Sequence, residues 1–86
     1  MRKMSDLVRD QRPLVLLPHT SVMEAARHMR NRGVGAVLVT ESDGKLVGIF
    51  TGRDAIARVL AEAKNPAETN LLEVMTSDPE TERATP

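Results

Sequence analysis

The chain has no cysteine, no tryptophan and no tyrosine, and Phe50 is its only aromatic residue. Without cysteine there is no disulfide, no thiolate nucleophile and no cysteine-ligated zinc, an absence compatible with any redox compartment. One aromatic cannot supply a row of base-stacking platforms. Excess charge is lacking too: 12 Lys+Arg balance 12 Asp+Glu. The basic field on which nucleic-acid binding rests is missing, so no nucleic acid is expected as a partner. The longest apolar runs, Leu14–Leu17 and Gly35–Val39, are far too short to span a bilayer, and no membrane insertion is expected. At the N-terminus, Met1-Arg2-Lys3-Met4-Ser5-Asp6 passes through Leu7-Val8 into further charges. That stretch lacks the apolar core of a signal peptide, and a cytoplasmic location is the expectation.

What is present suits one small globular domain: 86 residues, 41% hydrophobic and 28% charged. A chain of this size buries only about 60–65% of the surface its unfolded form exposes, so its own core is marginal.

Leu14–Leu17 lies between Pro13 and Pro18 and reads as a short buried strand. Val22, Ala25, Ala26 and Met29 then recur at the spacing of one helix face. Ser21, with Glu24 three residues on, opens that helix as a capping box. Asn31-Arg32-Gly33 closes it, because glycine readily takes the left-handed conformation. Ala36–Thr40 and Leu46–Phe50 read as strands, and the Asp43-Gly44 turn signal between them makes an antiparallel hairpin. A second helix is expected from Thr51 to about Lys64, with Ile56, Val59, Leu60 and Ala63 as its apolar stripe. Leu71–Met75 reads as one helical turn, and Thr76–Pro86 as an extended tail.

The order is βαββα, an α+β fold with a small three-stranded sheet and two helices. The expected organisation is a lead-in segment (1–13), a folded motif (14–64), and a helical turn with tail (65–86). So little secondary structure leaves one sheet face thinly covered, which predicts packing against a partner, most simply a second copy. Met4-Ser5-Asp6 is echoed by Met75-Thr76-Ser77-Asp78, as if a second unit were beginning.

The segment richest in chemistry is Gly48-Ile49-Phe50-Thr51-Gly52-Arg53-Asp54, where a strand runs into a helix. Free N–H groups and the positive helix end favour an anion there. Thr51 can give a hydroxyl to a phosphate oxygen, and Arg53 a charge-assisted contact. Gly52 permits close backbone approach. Asp54 can accept from a pair of ribose hydroxyls. The same letters also read as a plain capping box, Thr51-x-x-Asp54, and on local pattern alone the cap is the simpler reading.

Three stretches, taken in order, resemble the cystathionine-beta-synthase (CBS) domain. They are Pro18-His19-Thr20-Ser21-Val22-Met23-Glu24-Ala25-Ala26, Gly33-Val34-Gly35-Ala36-Val37-Leu38-Val39, and Gly44-Lys45-Leu46-Val47-Gly48-Ile49-Phe50-Thr51-Gly52-Arg53-Asp54. The likeness covers about Leu14 to Leu60, and Leu71–Met75 resembles the lead-in to a second motif. The resemblance implies the βαββα fold and a motif that works in pairs, as the Bateman module. It also implies that clefts between paired motifs hold an adenosyl ligand: AMP, ADP, ATP, S-adenosylmethionine or NAD. Within that pattern Thr51 serves phosphate, Asp54 serves ribose, and the Gly35-Ala36 backbone lies along the base. Arg53 adds to the phosphate contact, and His19, at the strand-to-helix turn, is a candidate for the cleft wall. With one complete motif in the chain, a homodimer of single motifs is the expected pairing, with an attached or associated effector as its target.

No catalytic role is expected. Ser5, Ser21, Ser42 and Ser77 have no base at motif spacing, and His19 and His28 lack metal-site spacing. Arg27, Arg30 and Arg32 read as complements to the negative end of the first helix. The expectation is therefore an adenosyl-ligand sensor, neither enzyme nor metal protein. The alternative is a ligand-free dimerisation or interaction module of a larger protein.

Overall fold

The computed structural model describes residues 12–77. Strand β1 (Val15–Leu16) is followed by helix α1 (Val22–Arg32), then strands β2 (Ala36–Thr40) and β3 (Leu46–Thr51). Helix α2 (Gly52–Asp54) continues without a break into a π-helical segment (Ala55–Leu60). Helix α3 (Leu71–Val74) and strand β4 (Thr76–Ser77) complete the described chain. The sheet order is β1-β2-β3-β4. β1 runs parallel to β2, and the β2–β3 and β3–β4 pairs are antiparallel.

Helix α1 is closed at both ends by its own sequence. Ser21 Oγ accepts the Glu24 N–H at 3.1 Å, and Gly33 sits at φ 68° in the left-handed region. Gly33 N–H donates to the Arg30 carbonyl and Val34 N–H to that of Met29, the paired bonds that end a helix at glycine. Loop 65–70 adds a second closure, because the Val22 and Met23 N–H groups donate to the carbonyls of Thr69 and Pro66. The hairpin follows its turn signal: Gly44 takes φ 90°, and Asp43 Oδ1 accepts the Lys45 N–H at 2.9 Å.

Val37, Val39 and Phe50 point from the sheet into a core completed by Leu14, Val22, Ala25, Met29, Val59, Leu71, Val74 and Met75. Ala26, expected on the inner face of α1, is exposed. Among the described residues, no helix covers the opposite sheet face. Register places Val15, Leu38, Ile49 and Thr76 side by side across that face. Val15 remains 46% exposed and Ile49 37%.

Three further expectations change. Leu14–Leu17, expected as a buried strand, is strand only over Val15–Leu16, and both Val15 and Leu17 are exposed, because no helix among the described residues covers that face. The second helix reaches Leu60, not Lys64, and it widens: Ala61 N–H donates to Ile56 and Lys64 N–H to Val59, five residues back. The wider turn rotates the expected stripe off the core. Val59 is buried, whereas Ile56 and Leu60 are 63% and 67% exposed. Ala63 then turns the chain at φ 56°. The sheet also gains a fourth strand, since Thr76–Ser77, the start of the expected extended tail, pairs with Gly48 and Ile49 of β3. Glycine at 48 makes that approach possible. A Cβ there would lie 2.6 Å from the Thr76 carbonyl oxygen and 2.8 Å from Met75 Sδ. The remainder of the tail, with the Met4-Ser5-Asp6 half of the echo, lies outside the described residues.

Candidate functional site

The site forms where β3 passes into α2, next to the start of β2. Ala36 and Thr51 are cross-strand partners, and Gly52 N–H donates to the Gly35 carbonyl at 3.0 Å. Gly35, Ala36, Thr51, Gly52 and Asp54, far apart in sequence, are thus gathered at one end of the hairpin. A Cβ added at Gly35 or Gly52 would meet nothing within 4 Å. Among the described residues, the space beside both glycines is open. Arg53 is exposed. His19 lies elsewhere: its turn follows the C-terminal end of β1, whereas Gly35-Ala36 starts the parallel strand β2. The carbonyls flanking His19, those of Pro18 and Thr20, accept N–H groups from Leu72 and Leu71.

Thr51 and Asp54 form the reciprocal cap that the letters allow. The Asp54 N–H donates to Thr51 Oγ1 at 3.2 Å. The Thr51 N–H and hydroxyl donate to Asp54 Oδ2 at 3.0 and 3.2 Å. This satisfies donors that a helix start would otherwise leave unpaired. It also turns Asp54 inward, to 7% exposure.

The second carboxylate oxygen is engaged by residues that the sequence did not single out. Thr76 Oγ1 donates to Asp54 Oδ1 at 3.3 Å, and Arg58 Nε lies 3.8 Å from the same oxygen. Arg58 also ties down the strand carrying Thr76, donating from Nη1 to the Met75 carbonyl at 2.9 Å and, more weakly, to that of Val74 at 3.5 Å. Arg58 was discoverable as the i+4 partner of Asp54. Thr76 had only the Met-Ser/Thr echo to mark it. Among the described residues, no three His, Asp or Glu side chains gather where they could hold a metal ion. Among them, too, no helix is long and apolar enough to cross a membrane.

The CBS domain family model matches residues 4–61. The chain is 40% identical over 72 residues to the CBS domain-containing protein CBSCBSPB2 of Arabidopsis thaliana. It is 36% identical over 77 residues to the meiotically up-regulated gene 70 protein of Schizosaccharomyces pombe. These alignments take in 84% and 90% of this chain but only 13% and 10% of those proteins. Among solved structures, a cystathionine beta-synthase domain protein fused to a Zn-ribbon-like domain superposes with a TM-score of 0.74 at 32% identity. That match covers 79% of this chain and 96% of the other. CBS domain proteins are commonly regulatory or interaction modules. Family model, sequence relatives and fold agree, and the chain belongs to the CBS domain family.

Proposed function

We propose that the chain is a regulatory module that binds an adenosyl ligand of the AMP, ADP or ATP class in the cleft between two paired motifs, with S-adenosylmethionine and NAD as further members of the class. The observation that carries this reading is the open ground beside Gly35 and Gly52. Two glycines joined by a backbone hydrogen bond lie next to Thr51, Arg53 and Asp54, with no atom where a side chain would stand. In this reading a flat base lies along that backbone, and Arg53 and Thr51 meet its phosphate. The uncovered row Val15, Leu38 and Ile49 is the surface on which a second motif packs, and that motif forms the other wall of the cleft. Ligand then favours one dimer geometry over another through its differential affinity for the two, and an attached or associated effector reads the change. The module itself performs no chemistry.

One observation favours a second reading, a ligand-free dimerisation module. Both Asp54 oxygens and the Thr51 hydroxyl already have partners within the chain. Calorimetric melting with AMP, ADP, ATP, S-adenosylmethionine and NAD, together with sedimentation, separates the two. The sensor reading expects a dimer whose melting temperature rises with one ligand by mass action. A dimer unmoved by all five supports the ligand-free module, and a monomer contradicts both.

A further inference from the structure

We infer that β4 is an internal competitor for the ligand-binding carboxylate: with the strand seated, Thr76 occupies the oxygen of Asp54 that a ribose diol needs, so ligand binding unseats Thr76–Ser77. This rests on the adenosyl-ligand reading and adds the regulation of that site. The argument begins with the capacity of the carboxylate, which offers about four lone-pair positions. Oδ2 receives two donors from Thr51, at 3.0 and 3.2 Å. Oδ1 receives Thr76 at 3.3 Å and faces Arg58. A vicinal diol brings two O–H donors to a group 7% exposed, so an existing partner must leave.

The partners differ in what they lose by leaving. Thr51 belongs to the cap of α2, and its departure would leave helix-start donors unpaired. Thr76 makes the longest of the three bonds, is exposed, and sits in a strand of two residues. Its released hydroxyl finds water. The segment just before it is held firmly, since Leu71, Val74 and Met75 are buried and Arg58 holds the Met75 carbonyl. Movement is therefore confined to Thr76–Ser77, with Met75 as the fixed end.

The test uses the full 86-residue chain, AMP as probe, and Thr76→Val beside a Thr76→Ser control. Titration calorimetry reads affinity, and hydrogen exchange reads the Thr76–Ser77 amides with and without AMP. Loss of one competing hydrogen bond to the carboxylate, the longest of the three at 3.3 Å, is expected to tighten AMP binding by about 10-fold or more in Thr76→Val. Thr76→Ser should bind as the wild type does. AMP should also speed exchange at Thr76–Ser77 in the wild type. AMP binding by the valine variant alone supports the competition most strongly. Equal affinity in wild type and Thr76→Val, with exchange at Thr76–Ser77 unmoved by AMP, overturns the competition and leaves the ligand reading standing. No AMP binding by any of the three proteins overturns the ligand reading and the competition with it.

Discussion

Replacing Gly48 by Ala tests the packing of β4 with a single methyl group. The new Cβ would stand 2.6 Å from the Thr76 carbonyl oxygen, 2.8 Å from Met75 Sδ and 3.1 Å from Met75 Cε. The methionine tip can swing aside, but the backbone carbonyl cannot move without the strand. Relief requires β4 to lift off β3, and the Thr76–Asp54 and Arg58–Met75 hydrogen bonds then weaken together. Overpacking of this kind costs about 1–3 kcal/mol. Each of the two surrendered hydrogen bonds adds about 0.5–1.5 kcal/mol, so the sum is about 2–6 kcal/mol if the strand detaches. Stability is about 0.05–0.15 kcal/mol per residue, which makes this a large share of the total. Urea unfolding followed by far-UV circular dichroism reads it, since a chain without Trp or Tyr offers little intrinsic fluorescence. The control is Gly35→Ala, where the added methyl meets nothing within 4 Å and stability should change by less than about 1 kcal/mol. Hydrogen exchange should accelerate at residues 74–77 in Gly48→Ala and not in Gly35→Ala. Equal unfolding midpoints for the two variants would refute the steric reasoning.

Further outcomes follow from the same contacts. Gly52→Ala should fold as stably as the wild type, because its Cβ also meets open space, yet lose nucleotide binding; melting temperature and calorimetric titration check the two halves. Asp54→Ala should abolish most nucleotide affinity and also lower stability by about 1–3 kcal/mol, because it removes the acceptor of the Thr51 N–H. Asp54→Asn, which keeps an acceptor oxygen, should retain more of that stability in urea titrations, and equal losses would contradict the cap. Ser21→Ala should cost about 1 kcal/mol, since it removes the acceptor of the Glu24 N–H. Ala63→Gly should gain about 0.5–1 kcal/mol by relieving a left-handed alanine, seen as a higher unfolding midpoint.

The parts of the fold that depend on neighbours in sequence were legible in it. Ser21, Gly33 and Asp43-Gly44 act within a few residues, and each performs the turn or cap its type suggests. The facing of the sheet was less legible: the nearly continuous apolar run Ala36–Thr40 reads as a strand covered on both faces, whereas Val37 and Val39 are buried and Ala36 is exposed. The π-helical segment was not legible. Residues Ala55–Leu60 carry a good α-helical stripe, and only their packing decides that Val59 turns inward while Ile56 and Leu60 stay out. β4 was equally hidden, being a polar pair of residues that pairs because β3 has a glycine opposite. At the site, the Thr51–Asp54 cap and its nearness to Gly35-Ala36 follow from the motif. The roles of Arg58 and Thr76 required the third dimension, since Thr76 lies 22 residues from the carboxylate it binds.

The most direct test of the sensor account is differential scanning calorimetry of wild type and Gly52→Ala with the five adenosyl compounds, after bound nucleotide has been stripped. The account predicts that at least one compound raises the wild-type melting temperature in a concentration-dependent way, and that the same compound leaves Gly52→Ala unmoved. A wild type indifferent to all five, or a Gly52→Ala variant stabilised as much as the wild type, would contradict it.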